Sequence, residues 1–213
     1  MPLDIDPSQI SPGERYKLLI GGVVPRPIAF VSTISRSGQT NLAPFSFYCG
    51  VGSNPMTLAF CPASDAQGED KDTLRNCRPE AEGGTGVFVV NIASERYERK
   101  VALAAEPLPP EESEFVLTGL TPVASKRVAA PRVAESPLCF ECRTLQIIRT
   151  NPGASGAGNL VLGEVVHVHA EDGVINDRFH VDPDRLSAIG RMGGLGYCRT
   201  RDRFTMKPGR PQP

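Results

Sequence analysis

Neither sign of charge dominates this chain of 213 residues, in which 23 lysines and arginines stand against 24 aspartates and glutamates. No long run of either sign occurs, so the electrostatic footprint of a nucleic-acid or membrane-surface binder is missing. The longest apolar stretches, such as NLVLGEVVHV from Asn159 to Val168, are too short and too interrupted to cross a bilayer. The opening residues, MPLDIDPSQI, lack the basic-then-apolar order of a secretory signal. A soluble cytoplasmic protein is therefore expected. Equally absent are a G-x-G-x-x-G dinucleotide fingerprint and a G-x-S-x-G nucleophile turn. Heptads and internal repeats are missing too, so a single domain over residues 1–213, with N- and C-terminal extensions, is expected.

What is present is punctuation. Twenty prolines and twenty-one glycines fit a turn-rich β-protein and argue against a helical bundle. Six cysteines (49, 61, 77, 139, 142 and 198) invite a disulfide reading, but nothing suggests export, and cytosolic thiols stay reduced. Cys139 and Cys142 have C-x-x-C spacing within SPLCFECRTLQII, an alternating segment that reads as a strand. Residues three apart on a strand face opposite ways, which suits neither a bridge nor a chelate. His167 and His169 share a strand face and could chelate a metal, but no third ligand is evident. No metal site is expected.

Along the chain, Ser11 caps a short helix predicted over Pro12–Leu19. Strands are predicted over Pro55–Cys61, Gly86–Ala93, Leu138–Ile148 and Leu160–His169, with a possible edge strand over Val174–Phe179. Helical turns are expected over Asp72–Cys77, Ser94–Ala105 and Pro183–Leu186. Many short strands and few helices point to an antiparallel barrel.

The densest information lies in RPIAFVSTISRSGQTNLAPFSF, Arg26 to Phe47. Ile28, Phe30 and Ser32 alternate with Ala29, Val31 and Thr33 at the strand period of two. Ser35-Arg36-Ser37-Gly38 supplies a turn, and the second arm carries Pro44, which cannot donate to a central ladder. That arm lies at an edge, bulges, or leaves the sheet where a ligand sits.

RPIAFVST, NLAPFSF, Lys71-Asp72-Thr73 and the late IGRMGG (Ile189 to Gly194) occur in one order. Together they resemble the flavin reductase-like, FMN-binding split-barrel family, to which flavoredoxins belong, from about Tyr16 to Met206. The resemblance implies a mainly β fold: a six-stranded antiparallel split β-barrel with a few short flanking helices. It also implies a homodimer with noncovalent FMN at the interface, and NADH or NADPH as a common electron donor.

FMN needs positive charge and oriented donors for its phosphate, and a flat apolar slot with a hydrogen-bonding rim for its ring. Lys71, Asp72 and Thr73 at a helix start meet the first need. Alone, K-D-T reads as a capped surface helix, with Asp72 as cap or as a partner for Lys71 or a ribityl hydroxyl; the resemblance makes it the phosphate site. Asn41, Leu42, Ala43, Pro44, Phe45 and Ser46 offer small side chains and perturbed backbone for the ring, with Ser32 and Thr33 on the paired strand. Arg191, Gly193 and Gly194 are added by the resemblance alone, from either subunit. Two departures from the family pattern stand out, a longer loop over Arg78–Gly84 and Cys49-Gly50 after SFY.

The resulting expectation is an FMN-dependent oxidoreductase of flavin reductase type, with flavin and nicotinamide nucleotide as partners and no catalytic acid or base. An FMN-binding electron carrier without nicotinamide activity, or a split barrel that has lost its flavin, would carry the same fold.

Overall fold

The computed structural model describes residues 1–109, 111–206 and 209. Helix α1 (Pro12–Gly22) starts from a reciprocal capping box in which Ser11 and Glu14 satisfy each other's amides, and it runs three residues past the predicted end. Strands β1 (Arg26–Pro27), β2 (Ala29–Ile34), β3 (Thr40–Phe45), β4 (Tyr48–Ser53) and β5 (Met56–Phe60) follow. Helix α2 (Asp72–Cys77) leads to β6 (Val87–Ile92), and α3 (Glu98–Leu103) and α4 (Glu114–Thr118) come next. Short β7 (Pro122–Val123) and β8 (Arg132–Val133) pair with each other, ahead of the long β9 (Leu138–Arg149) and β10 (Asn159–Ala170). A last turn of helix, α5 (Pro183–Leu186), precedes β11 (Ile189–Arg191) and β12 (Tyr197–Arg199).

The main sheet has seven antiparallel strands in the order β3-β2-β6-β9-β10-β5-β4. The expected strand number was six; the addition is β4, whose YCGVGS carries two glycines and no alternation to announce it. Its two edge strands, β3 and β4, are also neighbours in the chain, joined only by Ser46 and Phe47. That link spans at most about 11 Å, so the sheet must curl until its two edges meet at one corner. Irregular register between Leu162/Gly163 and Val165/His167 shows where β9 and β10 bend to allow this. This is the split barrel, open along the seam between β3 and β4.

Alternation along β2 divides the core. Ala29 and Val31 join Phe60, Phe88, Val90 and Val161 in one cluster, closed by Leu74 and Cys77 of α2. Phe30 and Leu42 join Tyr97, Val101, Phe115 and Val133 in the other, under α3 and α4. Cys142 lies in the first cluster and Cys139 in a third with Val89 and Ala130, as opposite faces of a strand require. All six cysteines are free. Gly163 sits against the first cluster because no side chain fits: a Cβ there would stand 2.3 Å from Phe88 Cζ.

One expected strand fails to form. Over Val174–Phe179 the chain turns instead, because Asn176 Oδ1 accepts the amides of Arg178 and His180, each at 3.0 Å. This side-chain turn leaves only an isolated bridge between Ile175 and Val181. The Ser94–Ala105 segment begins as a 3-10 turn (Glu95–Tyr97) before α3. Among the described residues no helix is long and apolar enough to cross a membrane, and no cluster of three metal-ligating side chains occurs.

Candidate functional site

Strand β3 is the platform. Its register pairs Asn41 with Thr33, Ala43 with Val31 and Phe45 with Ala29. On its outer side the Leu42 amide points away from β2 and donates to Glu114 Oε2 at 2.8 Å. Pro44, two residues on, occupies the same outward position, so the ladder loses no donor by its presence. The segment before α4 continues this strapping: Gln39 Nε2 donates to the Glu111 carbonyl at 3.1 Å, and the hydroxyls of Thr40 and Ser113 meet at 3.0 Å. The strap ends at Leu42. From Ala43 to Tyr48 every residue is half-buried, a continuous shelf beside the seam.

Helix α2 is pinned across the other end of the same strand. Asn41 Nδ2 donates to Thr73 Oγ1 and Asn76 Nδ2 donates to Thr33 Oγ1, both at 2.9 Å and all buried. These two amide–hydroxyl bonds fix the helix start relative to the hairpin. Lys71 is the N-cap residue, exposed and without a side-chain cap bond, so the first amides of the turn are free for water or an anion. Asp72 is not the cap that its position suggested; it forms an i,i+3 pair with Arg75. Below, the Asp70 carboxylate takes both Arg149 guanidinium nitrogens at 2.6 and 2.7 Å and also meets Arg78. Those bonds, led by Arg149, hold its pKa down at about 2. A polar cleft of about 440 Å³ opens here, lined by Arg36, Thr40, Asn41, Asp72, Arg75 and Asn76 among others.

The Arg78–Gly84 loop reaches that cleft through Gly83. Pro79 starts a 3-10 turn (Glu80–Glu82), and Gly84 then passes so close to the Arg78 carbonyl that a Cβ would lie 2.1 Å from its oxygen.

The Ser46 end has a different organiser, which sequence reasoning missed. Arg26 donates through Nε to Ser46 Oγ at 3.1 Å, through Nη1 to the Ile20 and Val23 carbonyls at 2.5 and 2.7 Å, and through Nη2 to the Met192 carbonyl at 3.0 Å. It thereby ties the end of α1, the corner of the sheet and the glycine segment together. β1 pairs with β11, setting Arg26 opposite Arg191. The Arg191 guanidinium lies over the Tyr197 ring, 4.5 Å from its centroid, and donates to the Gly194 carbonyl at 2.9 Å. Gly194 takes a positive φ of 56°, and a Cβ on Gly193 would reach Gly21 Cα at 3.5 Å.

The residues singled out from sequence therefore fall into four groups. Lys71 is exposed, and Asp72, Ala43, Pro44, Phe45 and Ser46 are half-buried, with Phe45 packed on Phe60 at 5.2 Å between centroids. Thr33, Asn41 and Thr73 are buried and bonded as a frame behind them, while Arg191, Gly193 and Gly194 join them only at the Ser46 end, through Arg26. Ser32 and Leu42 face the other way. The Ser32 hydroxyl is fully buried, donates to the Pro131 carbonyl at 2.5 Å and accepts from Asn91 Nδ2 at 3.0 Å. Leu42 fills the cluster under α3 and α4. The side chains of these two turn away from the Ala43–Ser46 shelf because β2 and β3 alternate. Asn91, a polar residue in an otherwise apolar strand, satisfies a neighbouring backbone group: its Oδ1 accepts the Val133 amide at 2.8 Å.

Glu114 gives a pH-dependent prediction. Burial pushes its carboxyl above the usual range, opposed by the Leu42 amide, with the Asp72 charge adding to the rise. A folded-state pKa above the unfolded one favours folding at low pH, a benefit lost as pH rises through the folded value. Glu114→Gln keeps an acceptor for Leu42 and removes the charge. Its melting temperature is expected to exceed the parent's by a few degrees at pH 7 and to vary less between pH 4 and 7. A lower melting temperature at pH 7 would contradict this.

From Asn41 to Ser46 the strand extends about 17 Å at ~3.4 Å per residue. That span matches an extended FMN, with the cation and open helix turn at one end and the half-buried shelf at the other. The residues present thus fit a flavin mononucleotide, by charge, by length and by the exposed backbone at the seam.

The profile described as flavin reductase like domain matches residues 21–201. An uncharacterized protein of Halalkalibacterium halodurans is 36% identical over 205 residues, covering 96% of this chain and 95% of its own. Nitrilotriacetate monooxygenase component B from Bacillus cereus superimposes with a TM-score of 0.89 at 33% identity, covering 97% of this chain and 99% of that one. The 2-nitrobenzoate 2-nitroreductase of Pseudomonas fluorescens follows at 0.84 and 29%, covering 99% and 98%. The chain is a member of the flavin reductase-like family.

Proposed function

We propose that this protein is an FMN-dependent oxidoreductase of flavin reductase type, taking electrons from NADH or NADPH and passing them to a flavin or another acceptor. The observation that carries the reading is the β3 platform: an exposed lysine at an uncapped helix start, and a half-buried shelf beside an open seam. Bound there, FMN would supply the hydride-accepting chemistry, for which the protein need provide no acid or base. Lys71 and the first amides of α2 bind the phosphate, with Asp72 oriented by Arg75 beside them. Thr33, Asn41, Thr73 and Asn76 keep that helix start in register with the strand. The backbone of Ala43–Ser46 lies along the ring, and the Gly193-Gly194 turn approaches from the Arg26 corner. The relatives include a monooxygenase component and a nitroreductase by name, which supports a redox role. Homodimer formation over the seam, in the cytoplasm, completes the reading.

The direct test is an anaerobic spectrum of protein reconstituted with FMN and desalted. Retained flavin bands that bleach with NADH or NADPH are expected. Bands that persist with both donors would make the protein a carrier, and no retained flavin would overturn the reading. Lys71→Ala is expected to weaken FMN binding about tenfold, ~1.4 kcal/mol, measured by quenching of flavin fluorescence, with the melting temperature unchanged because Lys71 is exposed. Without a dinucleotide fold, NAD(P)H should bind the flavin-free protein only weakly; tight binding there would contradict stacking over the ring.

A further inference from the structure

Arg26 is a buried cation with no carboxylate to answer it. Only 3% of its surface is exposed, and it belongs to none of the ion pairs among the described residues. All four of its hydrogen bonds go to neutral oxygens, three carbonyls and the Ser46 hydroxyl. Two of those carbonyls, Ile20 and Val23, lie at the C-terminal end of α1, whose dipole offsets roughly half a charge. Positive charge therefore remains, faced beyond those oxygens by the Phe47 ring, whose centroid lies 5.9 Å from Cζ. A cavity of about 300 Å³ at this corner is walled by Val23, Phe47, Tyr48 and Ala59, with Arg26 and Ser46 on its side. Burying an unpaired charge is costly, and neutral donors could tether three segments without that cost. An arriving guest that becomes negative accounts for both the tethering and the charge.

We propose that Arg26 sets the electron affinity of the bound flavin by favouring its reduced, negatively charged state over its neutral oxidised state. The inference rests on the flavin reading above, with the phosphate at Lys71 and the ring toward Ser46. Reduction by hydride adds two electrons and one proton to a neutral ring, leaving it one negative charge while the donor departs as the nicotinamide cation. A fixed cation near the ring, in a site of low dielectric, stabilises that added charge more than the uncharged starting state. Arg26 is thus a tuning and positioning residue that acts partly through Ser46, with no proton to give or take.

The experiment measures, for parent, Arg26→Lys and Arg26→Met, the affinity for oxidised FMN and the midpoint potential against a reference dye under anaerobic conditions. From these comes the preference for reduced over oxidised flavin. Arg26→Met is expected to lose about tenfold of that preference, ~30 mV for a two-electron couple, while Arg26→Lys stays within about threefold of the parent. An unchanged preference in Arg26→Met, whatever its melting temperature or overall affinity, would reduce Arg26 to a tether and overturn the proposal. Should that variant not fold, Ser46→Asp sets a carboxylate against Nε with the other tethers in place. The same fall is expected there, and an unchanged preference would again overturn the proposal. Failure of the parent to retain FMN would instead bring down the flavin reading itself, so the two failures are told apart by the first measurement.

Discussion

Gly163→Ala is expected to destabilise the protein by about 3 kcal/mol, near the upper end of the overpacking range for a close-packed core, lowering the melting temperature by about 6–12 °C. The added methyl would stand 2.3 Å from Phe88 Cζ and 2.9 Å from Cε1, and 3.4 Å from Cys142 Cβ. Phe88 has nowhere to go: it is fully buried, its ring set edge-on to Phe60 at 5.2 Å between centroids. The register shift at Leu162/Gly163 places this contact where the strand bends, so backbone adjustment would disturb the curl that brings the sheet edges together. Phe88→Leu should rescue part of the loss when combined with Gly163→Ala, although it opens a cavity on its own. A double-mutant cycle in thermal melts reads this directly, since residues in contact couple. Strict additivity would show that the two side chains do not compete for the same space.

Asp70→Asn is the second large effect, and it reaches function. The parent carboxylate is held at about pKa 2, chiefly by Arg149 with Arg78 assisting. Relative to the ordinary value of 3.8 this is worth about 2 kcal/mol at neutral pH. A depressed folded-state pKa contributes stability that is present above the unfolded value and disappears as pH falls through the folded one. The parent should therefore lose this increment between about pH 4 and pH 2, and Asp70→Asn should show no such step. At pH 7 the variant is expected to melt about 4–8 °C lower, near 2 kcal/mol. Arg78 and Arg149, about a third exposed, are rescued by water, which keeps the loss from growing further. Because Arg75 also donates to the Asp70 carbonyl, the turn that presents Lys71 should loosen, and FMN affinity should fall severalfold. Unaltered affinity with lowered stability would separate the Asp70 network from the binding surface.

Period-two segments with bulky branched or aromatic residues, such as AFVSTI and VFVVNI, declared their strands and even their faces, since Ala29 and Val31 part from Phe30 as the alternation requires. Pro44 left three readings open, an edge, a bulge or a departure from the sheet, and β3 is an edge strand. Strand β4 was not legible, because Gly50 and Gly52 erase the alternation that would reveal it. The turn at Asn176 was hidden for the opposite reason: Val174, Ile175 and Phe179 look like strand residues, but one amide side chain outcompetes the ladder. At the candidate site, Lys71 and Ala43–Ser46 stood out through motif order. The roles of Arg26, Glu114 and, away from that surface, Glu141 did not. Glu141 is fully buried, accepting the Lys126 and Arg127 amides at 2.8 and 2.6 Å, yet a glutamate in a strand looks the same whether it faces water or organises a distant loop. Hydrogen bonds to distant segments leave no local pattern, and each of those three residues makes at least one.

The strap on β3 also bears on what this protein will not do. A bare sheet edge is a template on which foreign strands can grow, whether a bound peptide or the next molecule in an aggregate. Glu114 occupies the Leu42 donor, and Pro44 deletes the next one along the same side. An incoming strand would therefore find no two successive amides to pair with there. This border of the sheet can stay open to a small flat molecule while remaining closed to polypeptide.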